Sequence, residues 1–365
     1  MNLYLHIPFC PKICPYCSFY KEASDRNKTA GFVEAVLREA QQFQTTLGQR
    51  VAPRTIFVGG GTPTALPTPL LLKLFRGLQR LMDFSMVKEW TIEMNPATVS
   101  LEKATELRQL GVTRVSMGVQ SWDAMMLERL GRVHSAAQAD RSFAILREAG
   151  FDNVNLDLMF AIPGQSAQTW IASLEKTFSL QPEHLSAYCL TYEEDTAYLS
   201  ALLRGELVRE TENEIDFFAV AMERAEAAGY HQYEISNYAR PGYECQHNLG
   251  YWRGEDCLGL GPSAVSTVNG RRWKNVPDTT LYMARIGQTG HARIEEEELD
   301  GETQLAEQLA FGLRTSEGVS LSKAKERLAC LEELETEGLL ERTRDRVRLT
   351  RRGRMVADEI ASLVV

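Results

Sequence analysis

Three cysteines fall within eight residues, at Cys10, Cys14 and Cys17, the densest group of reactive side chains in the 365-residue chain. Seven cysteines in all, unevenly spread behind an N-terminus without a basic, uninterrupted apolar leader, argue against a disulfide framework. Cys189 and Cys330 read as ordinary packed thiols. The N-terminal trio does not, because Pro8, Pro11 and Pro15 keep that segment out of a helix. Its thiols can therefore converge on one centre, and without a ligand they would oxidise readily. Two metal centres would use them. A structural zinc takes four ligands, and only His6 lies close enough in sequence to be the fourth. An iron–sulfur cubane takes three thiolates and leaves one iron open, which suits soft sulfur ligands.

Residues 2–7 alternate and read as the strand that delivers the cysteine loop. Further strands are expected at 54–58, 90–94, 112–117, 154–159 and 185–190, with helices at 29–47, 68–82, 101–109, 135–149 and 167–179. Such alternation calls for a parallel sheet with crossover helices. Six rounds are too few to close an eight-fold barrel, so an α/β partial (β/α)6 barrel is expected over residues 1–200. Ligands of such sheets sit beyond the carboxyl ends of the strands. The unusual residues fall there: the cysteines, then Gly59-Gly60-Gly61-Thr62-Pro63, Glu93, Gln120 and Asp157. Singly, the glycines could be a tight turn and Asp157 a helix cap. Together, at five consecutive strand ends, they mark a site.

Past residue 200 the alternation stops. Residues 201–300 read as an α+β extension, with a helix at 212–228, an aromatic segment at 230–238 and Gly-rich strands and turns around Gly250, Gly254, Gly259 and Gly261. Residues 301–365 read as a small α+β module like a winged helix: helices at 305–313 and 324–334, a hairpin over 339–349 turning at Asp345, and a final helix at 352–362. The acidic run 295–298 reads as a solvated linker. With 44% hydrophobic and 24% charged residues the chain can bury a sizeable core. No apolar run reaches membrane-spanning length, and a net charge of −9 argues mildly against nucleic acid as a partner. The expected compartment is the cytoplasm. Arg342, Arg344, Arg346, Arg348, Arg351, Arg352 and Arg354 read as a solvated hairpin face, or a docking face for an acidic or membrane-bound partner, ahead of a phosphate-binding wing.

Cys-x3-Cys-x2-Cys directly after a short apolar strand resembles the radical S-adenosylmethionine superfamily, in which the open iron chelates the methionyl amino and carboxylate groups. Tyr4-Leu5-His6-Ile7-Pro8-Phe9-Cys10, Gly59-Gly60-Gly61-Thr62-Pro63-Thr64, Ser116-Met117-Gly118-Val119-Gln120 and Asp157-Leu158-Met159 resemble, more narrowly, the oxygen-independent coproporphyrinogen III oxidase family. Within it, Ser18-Phe19 where the oxidases continue to a fourth cysteine, and His247-Asn248-Leu249-Gly250-Tyr251-Trp252, are similar to the HemW-type haem-chaperone branch. The resemblance implies a 4Fe–4S cluster on Cys10, Cys14 and Cys17, with Tyr4 beside it. It implies S-adenosylmethionine on Gly60, Gly61, Thr62 and Glu93, and Tyr16 among the cofactor-binding residues. Gln120, Arg132 and Asp157 match positions that meet a second S-adenosylmethionine in the oxidases. Haem is expected at His247, with Cys245 or Cys257 as alternative axial donors. The implied partners are haem and recipient haem enzymes, membrane-associated ones among them, and a homodimer is compatible with the family. Coproporphyrinogen oxidation is the rival enzymatic reading, and a cluster-sensing DNA-binding regulator the third.

Overall fold

Strand by strand, the chain alternates large apolar residues with polar or small ones, and the fold puts the two sets on opposite faces. The computed structural model describes residues 1–324 and 328–364. Its central strands are β1 (Asn2–Ile7), β2 (Thr55–Gly60), β3 (Glu89–Met94), β4 (Arg114–Gln120), β5 (Val154–Phe160) and β6 (His184–Cys189). Leu3, Leu5, Ile56, Val58, Ile92, Val115, Met117, Leu156 and Leu158 are buried on one face, beneath the crossover helices. The other face carries Tyr4 and His6, Phe57 and Gly59, Glu93, Gly118, Asp157, Ser186 and Tyr188. Parallel strands covered by helices on both sides read as continuous apolar runs. The alternation here leaves one face polar, as the hollow of an open barrel requires.

The helices are α1 (Arg26–Leu47), α2 (Thr68–Leu81), α3 (Leu101–Leu110), α4 (Ala124–Arg129), α5 (Ala136–Glu148), α6 (Ala167–Ser179), α7 (Ala197–Leu203) and α8 (Thr211–Ala227). Their starts are written locally. Asp25, Ser100, Ser135 and Ser166 each accept a backbone N–H of the first turn, and Ser135 forms a reciprocal capping box with Gln138.

Residues 201–300 lend strands to both edges of the same sheet. β7 (His231–Glu234) and β8 (Asn237–Ala239) extend it beyond β6. β9 (Cys257–Leu260), β10 (Val265–Val268), β11 (Arg271–Asn275) and β12 (Arg293–Glu298) extend it beyond β1, giving twelve strands in the order β12-β11-β10-β9-β1-β2-β3-β4-β5-β6-β8-β7. The acidic run expected to be a linker is instead part of β12. Opposite charge explains the pairing, with Arg271 facing Glu298 and Arg272 facing Glu297. Exposed glutamates and a register shift also keep this edge from pairing with another chain.

The C-terminal module has its own core, including Leu309, Leu313, Val347 and Ile360. It contains α11 (Gly301–Leu313), α12 (Leu328–Thr336) and a small antiparallel sheet of β13 (Val319–Ser320), β14 (Leu340–Arg342) and β15 (Arg346–Leu349). Two further helices, α9 (Gln246–Trp252) and α10 (Thr279–Thr289), lie before it in the chain. The hairpin stands where expected. The helix expected at 324–334 begins partly outside the described residues, and the one expected at 352–362 is two short helices, Arg351–Arg354 and Ala357–Val364. The arginine run is largely engaged within the chain: Arg342 with Glu332 and Glu335, Arg348 with Glu341, and Arg346 with the Glu317 and Gly318 carbonyls. No helix among the described residues is long and apolar enough to cross a membrane.

Candidate functional site

β1 runs into Phe9–Cys10, which pairs in parallel with Glu22–Ala23. Backbone bonds from Glu22 to Pro8 (2.8 Å) and Ser24 to Cys10 (2.9 Å) complete a clip that closes the cysteine loop at its base. Inside the loop the Cys17 N–H donates to the Cys14 carbonyl at 3.3 Å, and the Pro15 carbonyl accepts from Tyr198 at 3.1 Å. Tyr16 packs into a satellite cluster with Met126, Leu130, Met159 and Tyr198, which anchors the loop tip to the barrel rim. All three thiols are half-buried.

Cationic and hydroxyl donors surround them. Thr62 Oγ1 donates to Cys10 Sγ and Arg132 Nη1 to Cys14 Sγ, each at 3.7 Å, while Arg132 Nη2 holds the Gly118 carbonyl at 2.8 Å. Arg132 Nε is buried without a partner among the described residues, and the Lys21 ammonium bonds the Cys17 carbonyl. Three soft thiols beside a guanidinium and an ammonium suit an anionic thiolate-bound cluster.

The zinc alternative loses its fourth ligand. Burial holds His6 near pKa 4, hence neutral, with Nε2 2.9 Å from the Tyr20 carbonyl and Nδ1 3.0 Å from the Tyr4 hydroxyl. A carbonyl only accepts, so Nε2 carries the hydrogen and Nδ1 accepts from Tyr4. Both nitrogens are engaged. Among the described residues no three His, Cys, Asp or Glu side chains gather closely enough for a single ion. A cubane spreads its thiolates over three irons and does not require that spacing.

The glycine turn lies against the same loop. Gly61 donates to the Ile7 carbonyl and Thr62 to that of Phe9, both at 2.8 Å. A Cβ on Gly61 would lie 2.6 Å from the Pro8 oxygen, and one on Gly60, at φ +112°, 2.8 Å from the His6 ring. The turn is therefore structural as well as suited to close approach by a ligand. Gly61→Ala should cost about 1–3 kcal/mol through overpacking against backbone, read as a lowered urea midpoint. An unchanged midpoint would show that the loop can yield.

Glu93 accepts from the Gly60 N–H, and burial, reinforced by Asp157, lifts its pKa to about 8. Asp157 in turn accepts from Asn155 at 2.7 Å and Ser116 at 3.2 Å. A carboxyl raised on folding contributes stability that is complete below its unfolded value and lost as pH rises through the folded one. Wild type should thus lose stability relative to Glu93→Gln between pH 4.5 and about 8, the two limits set by this shift. Parallel pH profiles of the two would show Glu93 to be silent.

Gln120 has φ +66° at a register shift between β4 and β5. Its amide and Arg132 close over Gly118, where a Cβ would meet them at 2.9 and 3.3 Å. The fold thus gathers Cys10, Cys14, Thr62, Gln120 and Arg132, with Gly60, Glu93 and Asp157 adjoining.

His247 lies elsewhere. The Gly-rich segment expected to form strands and turns is helix α9 at this point, and it packs on Thr55 and Glu89, the first residues of β2 and β3. It therefore covers the amino ends of the strands, opposite the cysteines. His247 is 8% exposed, with Nδ1 2.9 Å from Thr55 Oγ1 and its ring tilted against Phe57 at 5.2 Å between centroids. Glu89 accepts from the Gln246 and His247 N–H groups at 3.0 and 3.1 Å and from Cys245 Sγ at 3.3 Å. Burial pushes the Cys245 and Cys257 thiols up to about 12, so both are protonated at neutral pH. Tyr251 and Trp252 pack on Phe311 of the C-terminal module. Sequence reasoning missed Thr55, Glu89 and Arg114. The available signal was a polar residue opening each of three strands, in step with the polar face of the alternation.

The Radical SAM superfamily matches residues 4–177, and the HemN C-terminal domain matches residues 299–356. The chain is 35% identical over 372 residues to the haem chaperone HemW of Bacillus subtilis, spanning 98% of this chain and 97% of that protein. It is 37% identical over 269 residues to HemW of Escherichia coli, spanning 73% and 70% of the two chains. Among solved structures it resembles coproporphyrinogen III oxidase (HemN) of Escherichia coli, a radical SAM enzyme, with TM-score 0.87 and 22% identity over 100% of this chain and 89% of that one. The expected α/β core with a small C-terminal module is the fold observed.

Proposed function

We propose that this chain, which belongs to the HemW family within the radical S-adenosylmethionine superfamily, is a haem chaperone in the cytoplasm that passes haem to recipient enzymes, including membrane-associated ones. Membership in the superfamily implies a 4Fe–4S cluster and S-adenosylmethionine. Cys10, Cys14 and Cys17 would hold the cluster, whose open iron supplies a chelation point for the methionyl group. Gly60, Gly61, Thr62 and Glu93 line the adjoining space, and Arg132 supplies compensating positive charge. His247 is the axial donor we assign to haem.

The observation that carries this reading is the separation of two donor sets. Three thiols lie beyond the carboxyl ends of the strands, and an imidazole lies beneath their amino ends. Haem can therefore be bound and released without disturbing the cluster ligands. Tyr251 and Trp252 are packed against α11, so a face for the porphyrin there would involve the C-terminal module.

The test is a haem titration of reconstituted full-length protein, followed by its Soret absorbance, beside an anaerobic assay with coproporphyrinogen, reductant and S-adenosylmethionine. Saturable haem binding without protoporphyrinogen formation is expected. Clear turnover of coproporphyrinogen would overturn the chaperone reading in favour of the oxidase. The same titration run by sedimentation would show whether haem accompanies a homodimer.

A further inference from the structure

Four hydrogen-bonding groups from distant parts of the chain meet at the amino ends of β1 and β2. Glu255 Oε1 is held by Arg54 at 3.1 Å, and Glu255 Oε2 accepts from Asn2 Nδ2 at 3.3 Å. A carboxylate only accepts, so this contact orients the Asn2 amide, with Oδ1 turned to Thr55. Thr55 Oγ1 donates its one hydrogen to Asn2 Oδ1 at 2.8 Å. The contact between Thr55 Oγ1 and His247 Nδ1, at 2.9 Å, then has a single direction: the ring nitrogen donates. In the neutral ring this leaves the lone pair on Nε2.

Gly250 supports the same arrangement independently. A Cβ there would lie 2.5 Å from Asn2 Nδ2 and 3.0 Å from Glu255 Oε2. This glycine stands inside a helix, where alanine would be favoured by about 1 kcal/mol. Its lack of a side chain leaves room for the Asn2–Glu255 contact.

We propose that Glu255, Asn2 and Thr55, with the space left by Gly250, form a relay that holds His247 in the Nδ1-protonated form and keeps Nε2 available to bind haem iron. These are positioning residues. The inference rests on the reading of His247 as the haem ligand, but the tautomer can be measured without haem. Metal-binding histidines commonly donate their second nitrogen to such a partner, and losing it costs roughly 10–100-fold in affinity.

Two measurements test the relay. In the haem-free full-length protein labelled with 15N-histidine, long-range 1H–15N spectra should show His247 protonated at Nδ1 and bare at Nε2. The opposite tautomer in wild type would overturn the relay, whatever haem does. In haem titrations, Thr55→Val and Gly250→Ala should each weaken binding by roughly 10–100-fold and shift the Soret band, and Thr55→Ser should restore both. If His247→Ala binds as wild type does, the ligand reading falls. If His247→Ala weakens binding while Thr55→Val matches wild type, the relay alone falls. A purely structural role for Thr55 would lower the urea midpoint and leave the Soret band of bound haem in place.

Discussion

Replacing Cys14 by alanine is expected to leave the anaerobically reconstituted protein colourless, against a brown wild type with about four irons and four sulfides per chain. The loop should survive the change. Its base is clipped by the Phe9–Cys10 and Glu22–Ala23 pairing, and its tip is held by Tyr16, so Cys10 and Cys17 keep their places. The loss is therefore one of ligation. A cluster held by two thiolates is under-coordinated and labile, and Arg132, which meets Cys14 Sγ at 3.7 Å, would face an empty position. Cys189→Ala and Cys330→Ala should leave the metal content unchanged, because those thiols donate locally, to the Leu190 and Leu363 carbonyls. Iron and sulfide analysis decides the matter. A wild type that binds one zinc and no sulfide would refute the cluster.

Glu89→Ala should cost about 2–5 kcal/mol, chiefly by leaving the Gln246 and His247 N–H groups without an acceptor, at about 1–3 kcal/mol each. Arg114 is 2% exposed and its Nε has no partner among the described residues. Burial opposes its charge, and the groups around it, Cys245 and Glu89 foremost, favour it. Glu89 also accepts the first N–H groups of α9, so its removal uncaps the helix that carries His247. Urea unfolding gives the magnitude, and Glu89→Ala combined with Arg114→Met should recover part of the loss. A cost below about 1 kcal/mol would mean that water satisfies those N–H groups and that the floor of the barrel is open.

Much of the barrel was legible in the sequence because its signals act over one turn or one strand. The 2–7 alternation is β1 as expected, and the serines and glycines around the helices mark their ends to within a few residues. The spacing of Cys10, Cys14 and Cys17 also needed no fold to be read. Local rules could not reveal α9. Its cap comes from Glu89, 157 residues earlier than Gln246, so a Gly-containing segment that reads as turns becomes a helix. The acidic run 295–298 joined β12 for a similar reason, since its partner charges lie on β11. His247 shows the division most clearly. Its motif could be read as a sequence, but its place at the amino ends of the strands depends on Thr55, 192 residues away, and the state of its ring depends on the Asn2–Glu255 pair, 253 residues apart. Spacing along the chain specifies which side chains are present and which face they share. Which nitrogen carries a hydrogen is decided only when the sheet brings four distant groups within bonding distance.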